Sequence, residues 1–73
     1  MSQGYVVVIE RAEDNYAAYV PDLPGCVATG ATQREVEDRI RSAIALHVAG
    51  LRADGLAVPE PTSRVAVVQP ATA

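Results

Sequence analysis

Residues 16–26 read YAAYVPDLPGC, and this stretch decides the fold. Residues 16–20 have the composition of a short strand, which Pro21 ends because proline lacks the N–H that a sheet ladder needs. Residues 23–26 place proline and glycine at the two central positions of a type II turn, where a fixed φ and a positive φ are required. The chain is therefore predicted to reverse here and to enter a new strand at residues 26–29.

Working outward toward the amino terminus, residues 5–10 read YVVVIE and are apolar on both alternating faces, a pattern typical of a strand in the middle of a sheet. Residues 11–15 form a polar stretch of hairpin length that leads into the strand at residues 16–20. The first half of the chain is therefore predicted to be an antiparallel meander of three strands.

A long helix is predicted to follow, over residues 33–54. Thr32 and Glu35 have the spacing of a capping box, and Gly55 supplies the left-handed residue that commonly ends a helix. Apolar residues then recur at steps of three and four along one stripe. They are Val36, Ile40, Ala43, Ile44, His47 and Leu51.

The remaining segment predicts a stiff connector at Pro59 and Pro61 and a fourth strand over residues 63–68, ended by Pro70. The fold class is therefore α+β, with one helix packed on a mostly antiparallel sheet. The whole chain, residues 1–73, is expected to form a single domain, since 73 residues fit only one hydrophobic core.

Charge and cysteine content exclude several classes of function. The chain has nine acidic and six basic residues, net charge −3, so it should repel phosphate and attract a basic protein instead. With one cysteine, Cys26, no internal disulfide can form, which favours a reducing compartment. No apolar run approaches the roughly 20 residues of a membrane span. We expect a cytoplasmic protein with no membrane association.

The residue types needed for catalysis are sparse. His47 is the only histidine, and its pairing with Cys26 as base and nucleophile is conceivable because strand and helix can pack together. A core or interface imidazole is the commoner role for a histidine in an apolar stripe. The carboxylates do not converge in the predicted topology, so we expect no metal, no cofactor and no enzymatic activity.

Recognition by a protein surface is the remaining possibility, and each candidate has a plainer alternative. Tyr19 either faces a partner or lies over the sheet. Asp22 and Leu23 either project from the turn, or Asp22 caps local amides while Leu23 tucks underneath. The outer side of the second half of the helix is apolar, which indicates either an oligomer contact or simply alanine's preference for helix. That side carries Leu46, Ala49 and Ala53.

Four segments together resemble the HicB-like antitoxin family over nearly the whole chain. They are YAAYVPDLPGC at residues 16–26, then Gly30, Thr32 and Glu35, then AIALHVAGLRADG at residues 43–55, and VPEP at residues 58–61. The resemblance implies a partial ribonuclease H-like fold, β-β-β-α-β. It also implies that the chain binds HicA, a small basic toxin that cleaves messenger RNA, and masks its active surface.

From this resemblance and the predicted turns we expect a toxin-binding patch with an acidic surround. The patch comprises Tyr19, Asp22, Leu23 and Pro24, and the surround comprises Glu10, Glu13 and Asp14. Many relatives carry an additional DNA-binding domain where this sequence stops, so direct DNA binding is not expected. We expect a homodimer or larger homo-oligomer. The alternative is a solitary HicB-like structural or regulatory oligomer without a toxin, and an RNA-cleaving enzyme is the least favoured interpretation.

Overall fold

The computed structural model describes residues 4–72, so the predicted domain bounds of 1 and 73 lie outside the described residues. Three strands precede one helix, which confirms the predicted α+β class. The elements are β1 (Val8–Arg11), β2 (Tyr16–Tyr19), β3 (Val27–Gly30) and α1 (Gln33–Ala53). No helix among the described residues is long and apolar enough to cross a membrane.

The three strands form an antiparallel sheet in the order β1-β2-β3. Val8 and Val27 both pair with Tyr19, on opposite sides of β2. The prediction that residues 5–10 lie in mid-sheet is therefore wrong. In the described chain β2 holds that place, and no strand pairs with the outer edge of β1.

The turn after β2 has the predicted conformation. The Cys26 N–H donates to the Leu23 carbonyl at 3.0 Å, and Gly25 has a φ of 86°. A further bond from the Val20 N–H to the Cys26 carbonyl, at 3.2 Å, closes the loop around the turn. The proline and glycine thus fix the reversal that brings β3 alongside β2.

The helix is capped at both ends, although the Glu35 carboxylate bonds the Ala31 amide and not the N-cap amide of Thr32 that the predicted capping box uses. The Thr32 hydroxyl accepts from the Glu35 N–H at 3.1 Å, while the Glu35 carboxylate accepts from the Ala31 N–H at 2.6 Å. At the other end Gly55 has a φ of 71°, and the Leu56 N–H donates to the Leu51 carbonyl at 2.9 Å. These bonds satisfy groups that a helix otherwise leaves without partners.

The core lies between α1 and the side of the sheet that it covers. The helix packs mainly on β3 and β2 and covers β1 much less. Six side chains in this layer are almost completely buried. They are Ala18, Val20, Leu23, Cys26, Val36 and Ile40.

The predicted fourth strand is absent from the described chain. Residues 54–72 contain no strand, and the valine side chains at 65, 67 and 68 are 74%, 92% and 81% exposed. A strand requires a hydrogen-bonded neighbour, and residues 63–68 have none within the described chain. The apolar, β-branched pattern of these residues favours a strand but does not by itself provide a neighbouring strand.

Candidate functional site

One side of the sheet is not covered by the helix. Because side chains alternate across a strand, the residues that face away from α1 are those between the core positions. We call this surface the open sheet face. It comprises Val6, Val8, Glu10, Ala17, Tyr19, Val27 and Thr29.

An apolar row crosses the open sheet face at the end next to the turn at residues 23–26. Val8, Tyr19 and Val27 are direct cross-strand neighbours, so their side chains lie side by side. The tyrosine is 41% exposed and Val27 is 64% exposed. Tyrosine and apolar residues at the centre of a surface are typical of protein interfaces, because they supply large contact area at low entropy cost.

Negative charge adjoins this row at one end. Glu10 pairs with Ala17 one row away, so it is a diagonal neighbour of Tyr19 on the same face. Glu13 and Asp14 lie in the exposed turn between β1 and β2, just beyond Glu10. The structure therefore places Glu10 diagonally beside Tyr19, whereas Glu13 and Asp14 lie at the opposite end of β2 from Tyr19, roughly 10 Å further along the strand direction.

The rest of the predicted patch lies in the turn that follows β2, at the end of the sheet where Tyr19 lies. Pro24 is exposed in the turn at the opposite end of β2, roughly 15 Å along the strand direction from the acidic turn. The expected exposure of Leu23 is wrong: its side chain is 0% exposed and belongs to the core. The alternative interpretation is correct for Leu23. Its side chain lies beneath the turn, because burial of its apolar surface is more favourable than contact with water.

Asp22 holds the carboxyl-terminal segment of the chain. Its carboxylate accepts from the Ser63 N–H at 3.0 Å and the Ser63 hydroxyl at 2.9 Å. It also accepts from the Thr62 N–H at 3.1 Å and the Thr62 hydroxyl at 3.2 Å. Four donors thus bond to the Asp22 carboxylate, which was expected to contact a partner protein. Two of them are the backbone amides of Thr62 and Ser63, which lie 40 and 41 residues further along the chain.

This tether is expected to be lost in acid. The Ser63 N–H is the main cause that holds the pKa of Asp22 below its ordinary value of 3.8, and the other three donors act in the same direction against partial burial. A depressed carboxyl pKa contributes stability that is present above the unfolded pKa and is lost as pH falls through the folded pKa. The amide signals of Thr62 and Ser63, followed by NMR from about pH 6 to about pH 2, should move to unfolded-like positions only below about pH 4.

The variant Asp22→Asn is the control for this titration. In this variant the amide signals of Thr62 and Ser63 should already lie at unfolded-like positions at neutral pH. They should then change little on acidification, because the variant has no carboxylate to protonate at this position. Amide signals of the wild-type chain that stay fixed down to about pH 2 would contradict the tether.

Cys26 and His47 do line the same shallow groove, of about 280 Å³, beside the turn. No hydrogen bond joins them in the described structure. Burial raises the pKa of the Cys26 thiol, which lowers the fraction of the nucleophilic thiolate. The geometry thus gives little support to a nucleophile and base pair.

The carboxylates are spread over the surface. Among residues 4–72 no three side chains of His, Cys, Asp or Glu lie close enough to hold one metal ion. The predicted oligomer contact on the helix remains a prediction. Leu46 is 77% exposed, and Ala49 and Ala53 are exposed on the same helix.

Val8 and Val27 are the site residues that the sequence prediction missed. The alternation of residues 26–29 contained the signal, since a buried Cys26 and half-buried Ala28 place Val27 on the other face. The sequence alone does not give the pairing register of β2 and β3, which places Val27 directly opposite Tyr19.

Comparison with known proteins identifies the family of this chain. Residues 5–72 match the family model described as a HicB-like antitoxin of bacterial toxin-antitoxin systems. A UPF0150 protein of Helicobacter pylori is 46% identical over 50 residues, covering 68% of this chain and 69% of the relative. An uncharacterized 14.9 kDa protein of Haemophilus phage HP1 is 36% identical over 56 residues, covering 77% of this chain. The chain spans only 42% of that phage protein. No solved structure matches the chain.

Proposed function

Because this chain belongs to the HicB-like antitoxin family, we propose that it binds and masks a small, basic, messenger-RNA-cleaving toxin of the HicA type. Family membership supports an antitoxin role in general, and the surface of the molecule supports the specific form of it proposed here. The chain acts by covering a partner's surface in the cytoplasm and carries out no catalysis itself.

The open sheet face is the observation that carries the proposal. It presents Tyr19 between Val8 and Val27, an arrangement that offers a partner a central apolar anchor. Glu10 adjoins this anchor, Glu13 and Asp14 lie in the turn at the other end of β2, and the whole chain has a net charge of −3. A basic toxin would therefore be steered toward the chain and held on the apolar row, since charge speeds encounter and buried apolar contacts slow dissociation.

The toxin contact is proposed to include Tyr19, Val27 and Glu10, with Glu13 and Asp14 supplying long-range attraction. Pro24 is exposed in the turn that follows Tyr19 and precedes Val27, at the same end of the sheet as the apolar row, so it stays in the proposed contact. Leu23 is removed from the proposed contact because it is buried. Asp22 is removed because its carboxylate is already bonded to Thr62 and Ser63.

Substitution of the central tyrosine tests this proposal. Tyr19→Ala should weaken binding to the toxin encoded by a neighbouring gene by about tenfold or more, as loss of an interface hot spot does. Isothermal titration calorimetry measures this change. Leu56→Ala is the matched control: it also removes an exposed apolar side chain, but one that follows the helix and lies outside the open sheet face. Equal affinity of the two variants would refute the proposed contact.

A solitary structural or regulatory oligomer is the alternative function. It is favoured by exposed apolar side chains away from the open sheet face, on the helix at Leu46 and near the carboxyl terminus at Val65, Val67 and Val68. The gene neighbourhood separates the two proposals. A short adjacent reading frame that encodes a basic protein with one histidine supports the antitoxin, and its absence supports the solitary oligomer.

A further inference from the structure

We propose that residues 64–68 form a strand on the outer edge of β1 in a second copy of this chain, so that two copies exchange these segments reciprocally. We call residues 64–68 the arm. The proposal concerns assembly and does not depend on whether the chain binds a toxin.

The arm has the composition of a buried strand but an exposed environment. It reads RVAVV, and three of its four apolar side chains are 74–92% exposed. β-Branched residues in an extended segment suit a sheet that covers at least one of their faces. The Cα radius of gyration is 14.4 Å, against about 11 Å for a compact chain of this length, which agrees with an arm that extends away from the body.

The outer edge of β1 also lacks a neighbouring strand in the described chain. Residues 5–9, which lead into β1 and form its first half, are apolar on both faces, as in a central strand, yet the outer edge of β1 has no neighbour among residues 4–72. Unpaired edges with apolar side chains invite another strand, because the backbone N–H and C=O groups there lack partners.

An apolar groove lies beside β1 on the helix side of the sheet. Its volume is about 450 Å³, and its lining includes Tyr5, Val7 and Ile9 from the β1 side and Ile40 and Ile44 from the helix. The helix leaves this strip uncovered because it packs mainly over β3 and β2. A strand added at the β1 edge would direct every second side chain into the groove, and the alternating valines of the arm suit that position.

The connector keeps the arm away from its own groove. Pro59 and Pro61 hold this part of the chain extended. The Tyr5 hydroxyl donates to the Pro59 carbonyl, and Asp22 holds Thr62 and Ser63, so the connector is fixed at both ends. An arm that leaves a pinned, stiff connector and stays exposed is free to reach another molecule.

A second copy of this chain would provide a neighbouring strand both for the arm and for the outer edge of β1. In the described chain each copy carries one exposed arm and an unpaired β1 edge with the groove beside it, so a two-fold pair of copies would pair both arms with both β1 edges, while the β3 edges take no part in the exchange. Such a closed, self-complementary contact is the commonest form of homodimer. A toxin segment in the groove would cover the edge but would leave the arms exposed.

Substitutions in the arm test the exchange by sedimentation of the full chain. The wild type should sediment as a dimer at micromolar concentration, and Val65→Asp combined with Val67→Asp should sediment as a monomer. The circular dichroism spectrum of the variant should be unchanged, because both side chains are exposed in the single chain. Leu46→Asp, on the exposed side of the helix, should leave the dimer intact. A wild-type monomer, or a dimer that Leu46→Asp disrupts while the arm variant does not, would overturn the proposal.

A spin label locates the arm directly. Unlabelled chain carrying a nitroxide at Val67→Cys is mixed with isotopically labelled chain without the nitroxide, after Cys26→Ser in both. Signals of Val7 and Ile9 in the labelled chain should broaden by intermolecular relaxation. Broadening confined to Leu46 and Ala49 would place the contact on the helix and refute the strand exchange, as would the absence of any intermolecular broadening.

Discussion

Leu23→Ala is expected to lower the free energy of unfolding by about 2–5 kcal/mol, as loss of a buried leucine does when the surrounding core cannot collapse fully. The leucine side chain is completely buried beneath the turn, in contact with a core of only six buried residues. A chain of 73 residues has roughly 4–11 kcal/mol of stability in total. Urea denaturation followed by circular dichroism should therefore show a large fall in the midpoint.

Leu46→Ala is the matched control, since it removes the same atoms from a side chain that is 77% exposed. It should change the free energy of unfolding by less than about 0.5 kcal/mol in a monomeric sample. If both leucine variants lose stability equally, the assignment of Leu23 to the core is wrong.

Gly30→Ala is the second substitution with a large expected effect. A Cβ at this position would lie 2.8 Å from the Val36 backbone nitrogen and 3.1 Å from its Cα. Backbone atoms cannot rotate away as a side chain can, so the start of the helix would have to move off β3. We expect a loss of about 1–3 kcal/mol in the free energy of unfolding, the usual cost of overpacking, measured by thermal or urea denaturation.

Gly50→Ala makes the same chemical change at a position where we expect it to raise the free energy of unfolding. No atom lies within 4 Å of a Cβ built there, and the residue is exposed within the helix. Alanine should therefore stabilise the chain by about 0.5–1 kcal/mol. A stabilising Gly30→Ala would show that the helix does not approach β3 as closely as described.

The elements set by local chemistry could be predicted from the sequence. Pro24 and Gly25 required the turn before β3, Thr32 and Glu35 marked the start of the helix, and Gly55 marked its end. Each of these signals acts within a few residues, so no knowledge of the tertiary structure was needed.

The arrangement of the strands could not be predicted in the same way. The apolar pattern of residues 5–10 indicates burial on both faces, but it does not say which strand, or which molecule, covers them. Residues 63–68 likewise have the pattern of a strand without a neighbour in their own chain. Both errors concern long-range pairing, which alternation alone leaves open.

The candidate site was predicted in part for a related reason. The hairpin fixes the relative placement of Tyr19 and the acidic residues, with Glu10 beside Tyr19 and Glu13 and Asp14 at the other end of β2, and their role in binding stays a prediction. Asp22 was misjudged because its partners, Thr62 and Ser63, are far away in the sequence. Leu23 was misjudged because the turn type fixes the backbone and not the side on which a side chain is buried.

Titration of the purified chain into an RNA-cleavage assay of the proposed partner, a basic HicA-type toxin from an adjacent gene, tests most directly whether this chain masks a toxin through its open sheet face. We expect cleavage to fall to background near an equimolar ratio, and we expect Tyr19→Ala to need about tenfold more protein for the same suppression while Leu56→Ala behaves like the wild type. Undiminished cleavage at a large excess of folded wild-type chain would contradict the masking function.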